Sequence, residues 1–123
     1  MKTFFILSAL LAYAFAEEIN YFKTENDNLD VDEAMKHPDL IKLYVLCYVN
    51  LAPCDSLSQS YKDIMPEAIQ TACYRCNDPQ KHMWSRFLWG LRTLYPDLYH
   101  IYQVKYDPNN VYLETLENTV SGY

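Results

Sequence analysis

The stretch from residue 38 to residue 76 reads PDLIKLYVLCYVNLAPCDSLSQSYKDIMPEAIQTACYRC and contains all four cysteines of the chain. Its apolar residues recur at helical spacing between prolines, and no run alternates apolar and polar residues as a half-buried strand would. The cysteines form two local pairs, Cys47-x6-Cys54 and Cys73-x2-Cys76. The stretch therefore predicts short helices with cysteines at or near their ends.

Helix-start signals continue on both sides of this stretch. Asp30 is an N-cap candidate with an acid three residues later, and Pro38, Pro66, Pro79 and Pro96 are each placed near the start of a helix. The chain has only 2 glycines, a scarcity that favours helices over tight hairpins and argues against glycine-rich nucleotide loops. We predict an all-α fold of five or six short helices, with a new helix starting at Pro66.

The N-terminus has the three parts of a secretory signal peptide. Lys2 gives a positive start, residues 4–12 form an apolar run too short to span a bilayer of about 30 Å, and residues 14–16 read AFA, a small-residue cleavage pattern. We therefore expect a secreted chain with no membrane insertion. The predicted division is a signal peptide at 1–16, a loosely held arm at 17–29, a helical domain at 30–112 and a tail at 113–123.

In an oxidising compartment the cysteines are expected to form disulfides, and four cysteines allow three pairings. Geometry favours local pairing, because Pro53 would turn the chain back and bring Cys54 close to Cys47. A thiol-exchange enzyme that uses Cys73 and Cys76 is a weaker alternative, since that pair ends a helix and does not begin one. The spacing also lacks the second close pair of a zinc site, so we predict no metal.

Composition and motifs give no indication of catalysis. Acids exceed bases by 16 to 10, a net charge of −6, which disfavours nucleic acid as a partner. The chain has no serine flanked by glycines, no H-E-x-x-H motif and no phosphate loop. We expect neither enzymatic activity nor a cofactor.

Aromatic residues are abundant, with 12 tyrosines in the chain. Short helices crossing at varied angles can leave a gap lined by aromatic and branched side chains, as in a site for an apolar ligand, but plain core packing explains the same composition. Trp89 falls roughly opposite the apolar stripe of its helix and is expected at a cavity mouth or an interface. This residue keeps a second function class open, a secreted factor that binds a protein partner.

Several segments together resemble the insect chemosensory proteins, the OS-D or A10 family. The chain has the spacing C-x6-C-x18-C-x2-C, DNLDVDE at 27–33, YVLC at 44–47, PEAI at 66–69 and KYDP at 105–108. These segments are similar to family motifs, and the resemblance covers about residues 20–112.

The resemblance implies six helices around an internal apolar channel and the disulfides Cys47–Cys54 and Cys73–Cys76. It also implies a non-enzymatic carrier of small hydrophobic molecules such as semiochemicals and long-chain lipids, without a cofactor and with Tyr44 in the channel. We expect the protein to be a monomer. The predicted ligand-lining residues are Leu40, Tyr44, Ile64, Trp84, Leu88, Leu91, Leu98 and Tyr102.

Overall fold

A computed structural model describes residues 18–27 and 29–123 of the chain, and the predicted signal peptide at 1–16 lies outside these residues. The described part contains six helices and no strand, which confirms the predicted all-α class. The helices are α1 (Val31–Ala34), α2 (Pro38–Tyr48), α3 (Ser56–Gln70), α4 (Asp78–Leu94), α5 (Pro96–Tyr106) and α6 (Leu113–Val120).

Side-chain caps explain where three of these helices begin. The Asp30 carboxylate accepts a hydrogen bond from the backbone N–H of Glu33, as the sequence predicts. At the start of α3 the side chain of Asp55 forms a reciprocal capping box with Ser58. The cap of α4 is Asn77, two residues before Pro79, and its side chain accepts a hydrogen bond from the backbone N–H of Gln80. Each cap satisfies N–H groups that have no partner inside the helix.

The prediction that a new helix starts at Pro66 is wrong, because α3 runs without interruption through this residue. Proline lacks the N–H that would bond to the carbonyl of residue 62, a loss that typically costs a helix about 3 kcal/mol. Met65, Ala68 and Ile69 flank Pro66 on the buried face of the same helix. Their burial offsets that cost, since a methionine or isoleucine side chain removed from water contributes about 1.5–3 kcal/mol.

Both disulfides of the described chain are local. Cys47 bonds to Cys54 with a Cα–Cα distance of 5.1 Å, and Cys73 bonds to Cys76 at 5.0 Å. The first links the end of α2 to the loop before α3, and the second closes the turn between α3 and α4. Local pairing is therefore confirmed. In the second turn Ala72 and Cys73 have φ values of 52° and 63°, which reverse the chain after α3.

Helix α4 occupies the centre of the bundle and packs against α1, α2, α5 and α6. Gly90 of α4 lies against Met35, the residue that follows α1, and against Ile41 of α2. A Cβ atom at position 90 would lie 2.5 Å from Cε of Met35 and 3.0 Å from Cδ1 of Ile41. A side chain at this position of α4 would therefore have to displace the flexible end of Met35.

The N-terminal segment is held more firmly than the sequence suggests. The backbone N–H of Phe22 donates to the carbonyl of Arg75 at 2.9 Å, and the buried Gln80 donates to the Phe22 carbonyl at 2.9 Å. The Arg75 guanidinium also lies 4.6 Å from the centre of the Phe22 ring. The described part of this arm is irregular in conformation but anchored to the α3–α4 region, which replaces the expectation of a loose arm.

The C-terminal residues form a helix where the sequence analysis expected a tail. The buried side chains of α6 are Leu113, Leu116 and Val120. The cap comes from outside the helix, because the carboxylate of Asp107 accepts hydrogen bonds from the N–H groups of residues 111, 112 and 113 at 2.8, 2.9 and 3.0 Å. Asp107 is only 1% exposed, and although its burial opposes ionisation, the three N–H donors outweigh that effect and lower its pKa.

Candidate ligand-binding cavity

A cavity lies between helices α1, α2, α3 and α4. The volume of this cavity is about 50 Å³. The lining residues are Leu29, Val31, Ala34, Met35, Leu40, Ile41, Tyr44, Tyr48, Leu57, Tyr61, Met65, Met83, Trp84 and Phe87. All are apolar or aromatic, and none carries a charge.

Helical spacing places these side chains on the cavity. In α2 the residues Leu40, Tyr44 and Tyr48 follow at intervals of four, and in α3 the residues Leu57, Tyr61 and Met65 do the same. Residues four apart lie on one face of a helix, so each helix contributes a stripe to the wall. Met83, Trp84 and Phe87 of α4 complete it on the central side of the bundle.

The polar atoms of the wall are few and neutral. The hydroxyl of Tyr61 donates to the sulfur of Met83 at 2.8 Å, and burial raises the pKa of Tyr61 to about 12. Burial likewise raises the pKa of Tyr44 and of Tyr48, so these tyrosines stay protonated at physiological pH. The indole N–H of Trp84 is buried and has no hydrogen-bond partner among the described residues. The wall therefore combines a hydrocarbon surface with hydroxyl and N–H groups.

The structure brings only part of the predicted ligand-lining set to this cavity. Leu40, Tyr44 and Trp84 line it. Ile64 lies in a separate depression beside Glu67 and Arg75, and Leu88 lies in a recess beside Trp89. The residues that pack in or against the core without lining this cavity are Leu91, Leu98 and Tyr102.

Several wall residues are absent from the predicted ligand-lining set although their helical spacing is visible in the sequence. Tyr48 follows Tyr44 by four residues, and Tyr61 and Met65 follow Leu57 at the same interval. Phe87 follows Trp84 by three residues, a helical interval, and its ring lies at the cavity with its centre 5.5 Å from that of Tyr48. The intervals were visible in the sequence, whereas the face that borders an open space depends on how the helices cross.

Tyr102 has a different environment from the cavity tyrosines. It is fully buried, its ring lies 5.8 Å from Phe87 and 5.0 Å from Tyr106, and its hydroxyl has no partner among the described residues. Burial raises its pKa well above the ordinary value. This side chain belongs to an aromatic cluster behind the cavity wall.

The described residues contain neither a cluster of metal ligands nor a membrane-spanning helix. No three histidine, cysteine or acidic side chains lie close enough together to hold a metal ion within the described ranges. None of the helices in that part of the chain combines the length and the apolar character needed to cross a bilayer.

Six short helices, two local disulfides and an uncharged internal cavity define a class of small helical proteins with an apolar interior. The model of the insect pheromone-binding family, A10/OS-D, matches residues 22–114. The chain belongs to this family, which confirms the resemblance seen in its motifs.

Two relatives align with almost the whole chain. Allergen Tha p 1 of Thaumetopoea pityocampa and ejaculatory bulb-specific protein 3 of Drosophila melanogaster are each 29% identical to it over 122 residues. The alignments cover 99% of this chain in both cases and 97% and 96% of the respective relative. A solved chemosensory protein in complex with bromo-dodecanol superposes with a TM-score of 0.70 at 23% identity, covering 79% of this chain and 97% of the other. That likeness supports the fold.

Proposed function

We propose that the protein is a secreted carrier that binds one small hydrophobic ligand in the cavity between α1, α2, α3 and α4. The observation that carries the proposal is the uncharged wall of fourteen apolar and aromatic residues. Family membership and the bromo-dodecanol bound by a relative of the same fold support it. The wall holds no pairing of a nucleophile with a base, which favours carriage over catalysis.

Hydrophobic burial alone supplies enough affinity for such a carrier. Each buried CH₂ group contributes about 0.8 kcal/mol, so a ten-carbon chain gains up to about 8 kcal/mol before the cost of association. The volume of about 50 Å³ is small for such a chain, so side chains of the wall must move as it enters. Met35, Met65 and Met83 are suited to this, because an unbranched thioether side chain repacks easily.

A second candidate function rests on Trp89, which is 58% exposed on α4. An exposed tryptophan beside Leu88 and Arg92 is a typical anchor for a protein partner. A protein-binding factor on the same scaffold would lose its partner when Trp89 is replaced by serine and would keep its affinity for apolar probes.

The carrier proposal is tested by filling the cavity. Ala34 lies on the wall, so Ala34→Trp would occupy the space with an indole, and Thr93→Trp adds the same side chain at an exposed position of α4. In a displacement assay with an apolar fluorophore, wild type and Thr93→Trp should bind long-chain alcohols, esters and aromatics equally. Ala34→Trp should lose most of the binding while its circular dichroism spectrum remains helical.

Two results would contradict the proposal. If none of these compounds displaces the fluorophore from the wild-type protein, the protein is not a carrier of small hydrophobic ligands. Unchanged binding by a folded Ala34→Trp variant would place the ligand elsewhere in the bundle.

A further inference from the structure

Two buried side-chain donors have no hydrogen-bond partner among the described residues: Nε1 of Trp84 and the hydroxyl of Tyr102. Of the two, Trp84 lines the cavity, whereas Tyr102 does not. The Trp84 side chain is only 2% exposed, so its N–H is shielded from bulk water. A buried donor without a partner is destabilising, and the cavity is where a ligand atom could satisfy it.

The rest of the wall determines which ligand atom fits. The Tyr61 hydroxyl is already engaged with the sulfur of Met83. No lysine, arginine, histidine, aspartate or glutamate lines the cavity in the described part of the chain. A carboxylate or an ammonium group placed here would lose its hydration without gaining an opposite charge, which is strongly unfavourable.

We infer that this cavity selects apolar chains bearing one neutral hydrogen-bond acceptor, an alcohol, ester or ether oxygen, which accepts from the Trp84 Nε1–H. The inference rests on the proposed carrier function and adds a head-group preference to it. Carboxylates and alkylammonium ions are discriminated against because the wall cannot neutralise them.

The N–H becomes reachable through the same movement that admits the chain. The indole nitrogen is buried behind the cavity surface. Met83 precedes Trp84 in α4, Met35 contributes to the wall from the residue that follows α1, and Met65 contributes from α3. Displacing flexible methionine side chains is the least costly way to open this wall, since they fit many shapes.

Competition at constant chain length tests the preference. Decanol, methyl nonanoate, decanoate, decylammonium and decane supplied from the vapour would each displace an apolar fluorophore at pH 7.5. We expect decanol and the ester to bind about fivefold more tightly than decane, the effect of one net hydrogen bond. Decanoate and decylammonium should bind at least about tenfold more weakly than decanol. Decanoate should recover as the pH falls toward the pKa of an ordinary carboxylic acid, about 4–5.

The variant Trp84→Phe removes the donor and keeps an aromatic ring. This variant should bind decanol and decane with the same affinity, whatever the absolute value of that affinity. Trp89→Phe is the matched control, because Trp89 lies outside the cavity lining and should leave the difference between decanol and decane unchanged.

An independent measurement does not depend on whether Trp84→Phe folds. The chain has 2 tryptophans, so a ¹⁵N-labelled sample gives two indole N–H signals, and Trp89→Phe identifies the one from Trp84. Decanol should move the Trp84 proton signal downfield, as hydrogen bonding does, whereas decane should not.

The carrier function and the head-group preference would be contradicted by different results. If none of the five compounds displaces the probe, the carrier function fails. If decane, decanol and decanoate bind with equal affinity, or if decanol binds while the Trp84 signal stays unchanged, the carrier stands and the head-group preference is overturned.

Discussion

Replacing Asp107 with asparagine tests whether one buried carboxylate holds the C-terminal helix. Oδ1 accepts from the N–H of Val111 at 2.8 Å, and Oδ2 accepts from the N–H groups of Tyr112 and Leu113 at 2.9 and 3.0 Å. Asparagine has a single acceptor oxygen and presents an NH₂ group in place of the other. At least one backbone donor is therefore left facing a second donor.

The expected loss in the free energy of unfolding follows from these three hydrogen bonds. A hydrogen bond to a charged group contributes about 1.5–3 kcal/mol, and the bonds that remain lose the charge that strengthens them. We expect Asp107→Asn to lower the free energy of unfolding by about 2–4 kcal/mol at pH 7. This corresponds to a fall in Tm of roughly 8–20 °C for a domain of this size.

Urea unfolding followed by far-ultraviolet circular dichroism measures the loss, with Asp97→Asn as a control that removes a charge from an exposed position of α5. The folded pKa of Asp107 is lowered, so its contribution is present above the ordinary aspartate pKa of about 3.9 and disappears as the pH falls through the folded value. The difference between wild type and variant should shrink over that acidic range. A difference below about 0.5 kcal/mol at pH 7 would refute the capping role.

Gly90→Ala should change stability by less than about 1 kcal/mol, since better helix propensity offsets the displacement of Met35, but it should weaken binding of an apolar fluorophore. Replacing Cys73 and Cys76 together with serine opens a short ring and should cost about 2 kcal/mol in urea unfolding at unchanged helicity. The pKa of Tyr61 is near 10 in the unfolded chain and about 12 in the folded protein. Its contribution to stability is therefore complete below pH 10 and is lost as the pH rises through about 12, so tyrosinate absorbance should rise together with unfolding.

Each of these three predictions would be contradicted by a specific result. Unaltered probe affinity in a folded Gly90→Ala variant would show that Met35 moves away from the cavity. A double serine variant as stable as wild type would show that the turn between α3 and α4 is held by its other contacts. Full tyrosine ionisation near pH 10 in folded protein would contradict the burial of Tyr61.

The sequence predicted those features that depend on neighbouring residues. The cap at Asp30 and the two local disulfides each involve partners within about seven positions. Helix α6 was not predicted, because the group that caps it lies outside the helix. Its apolar residues recur at helical spacing, but Tyr112 makes no side-chain cap, and the carboxylate that replaces the cap lies outside the helix at Asp107.

The cavity was only partly predictable, because periodicity identifies an apolar face without showing what packs on it. Leu88 and Leu91 share the apolar stripe of α4 with Trp84, yet only Trp84 lines the cavity. Helix α4 has neighbours on several sides, so its apolar residues divide between the cavity and solid core. That division depends on the crossing of the helices, which a single sequence does not determine.

Helix α1 has a consequence for the kinetics of ligand exchange. It is four residues long, packs mainly on α4 and supplies Val31 and Ala34 to the cavity. Its polar contacts to α4 come from Asp32, which lies 3.2 Å from Nε of Arg86 and 3.1 Å from Nε2 of His82. The Asp32 carboxylate is exposed, and such surface contacts contribute at most about 1 kcal/mol each. We expect α1 to detach locally far more often than the bundle unfolds, so its amide hydrogens should exchange with solvent quickly while those in the middle of α4 exchange slowly. Ligand residence time would then follow the opening of four residues and stay nearly independent of global stability.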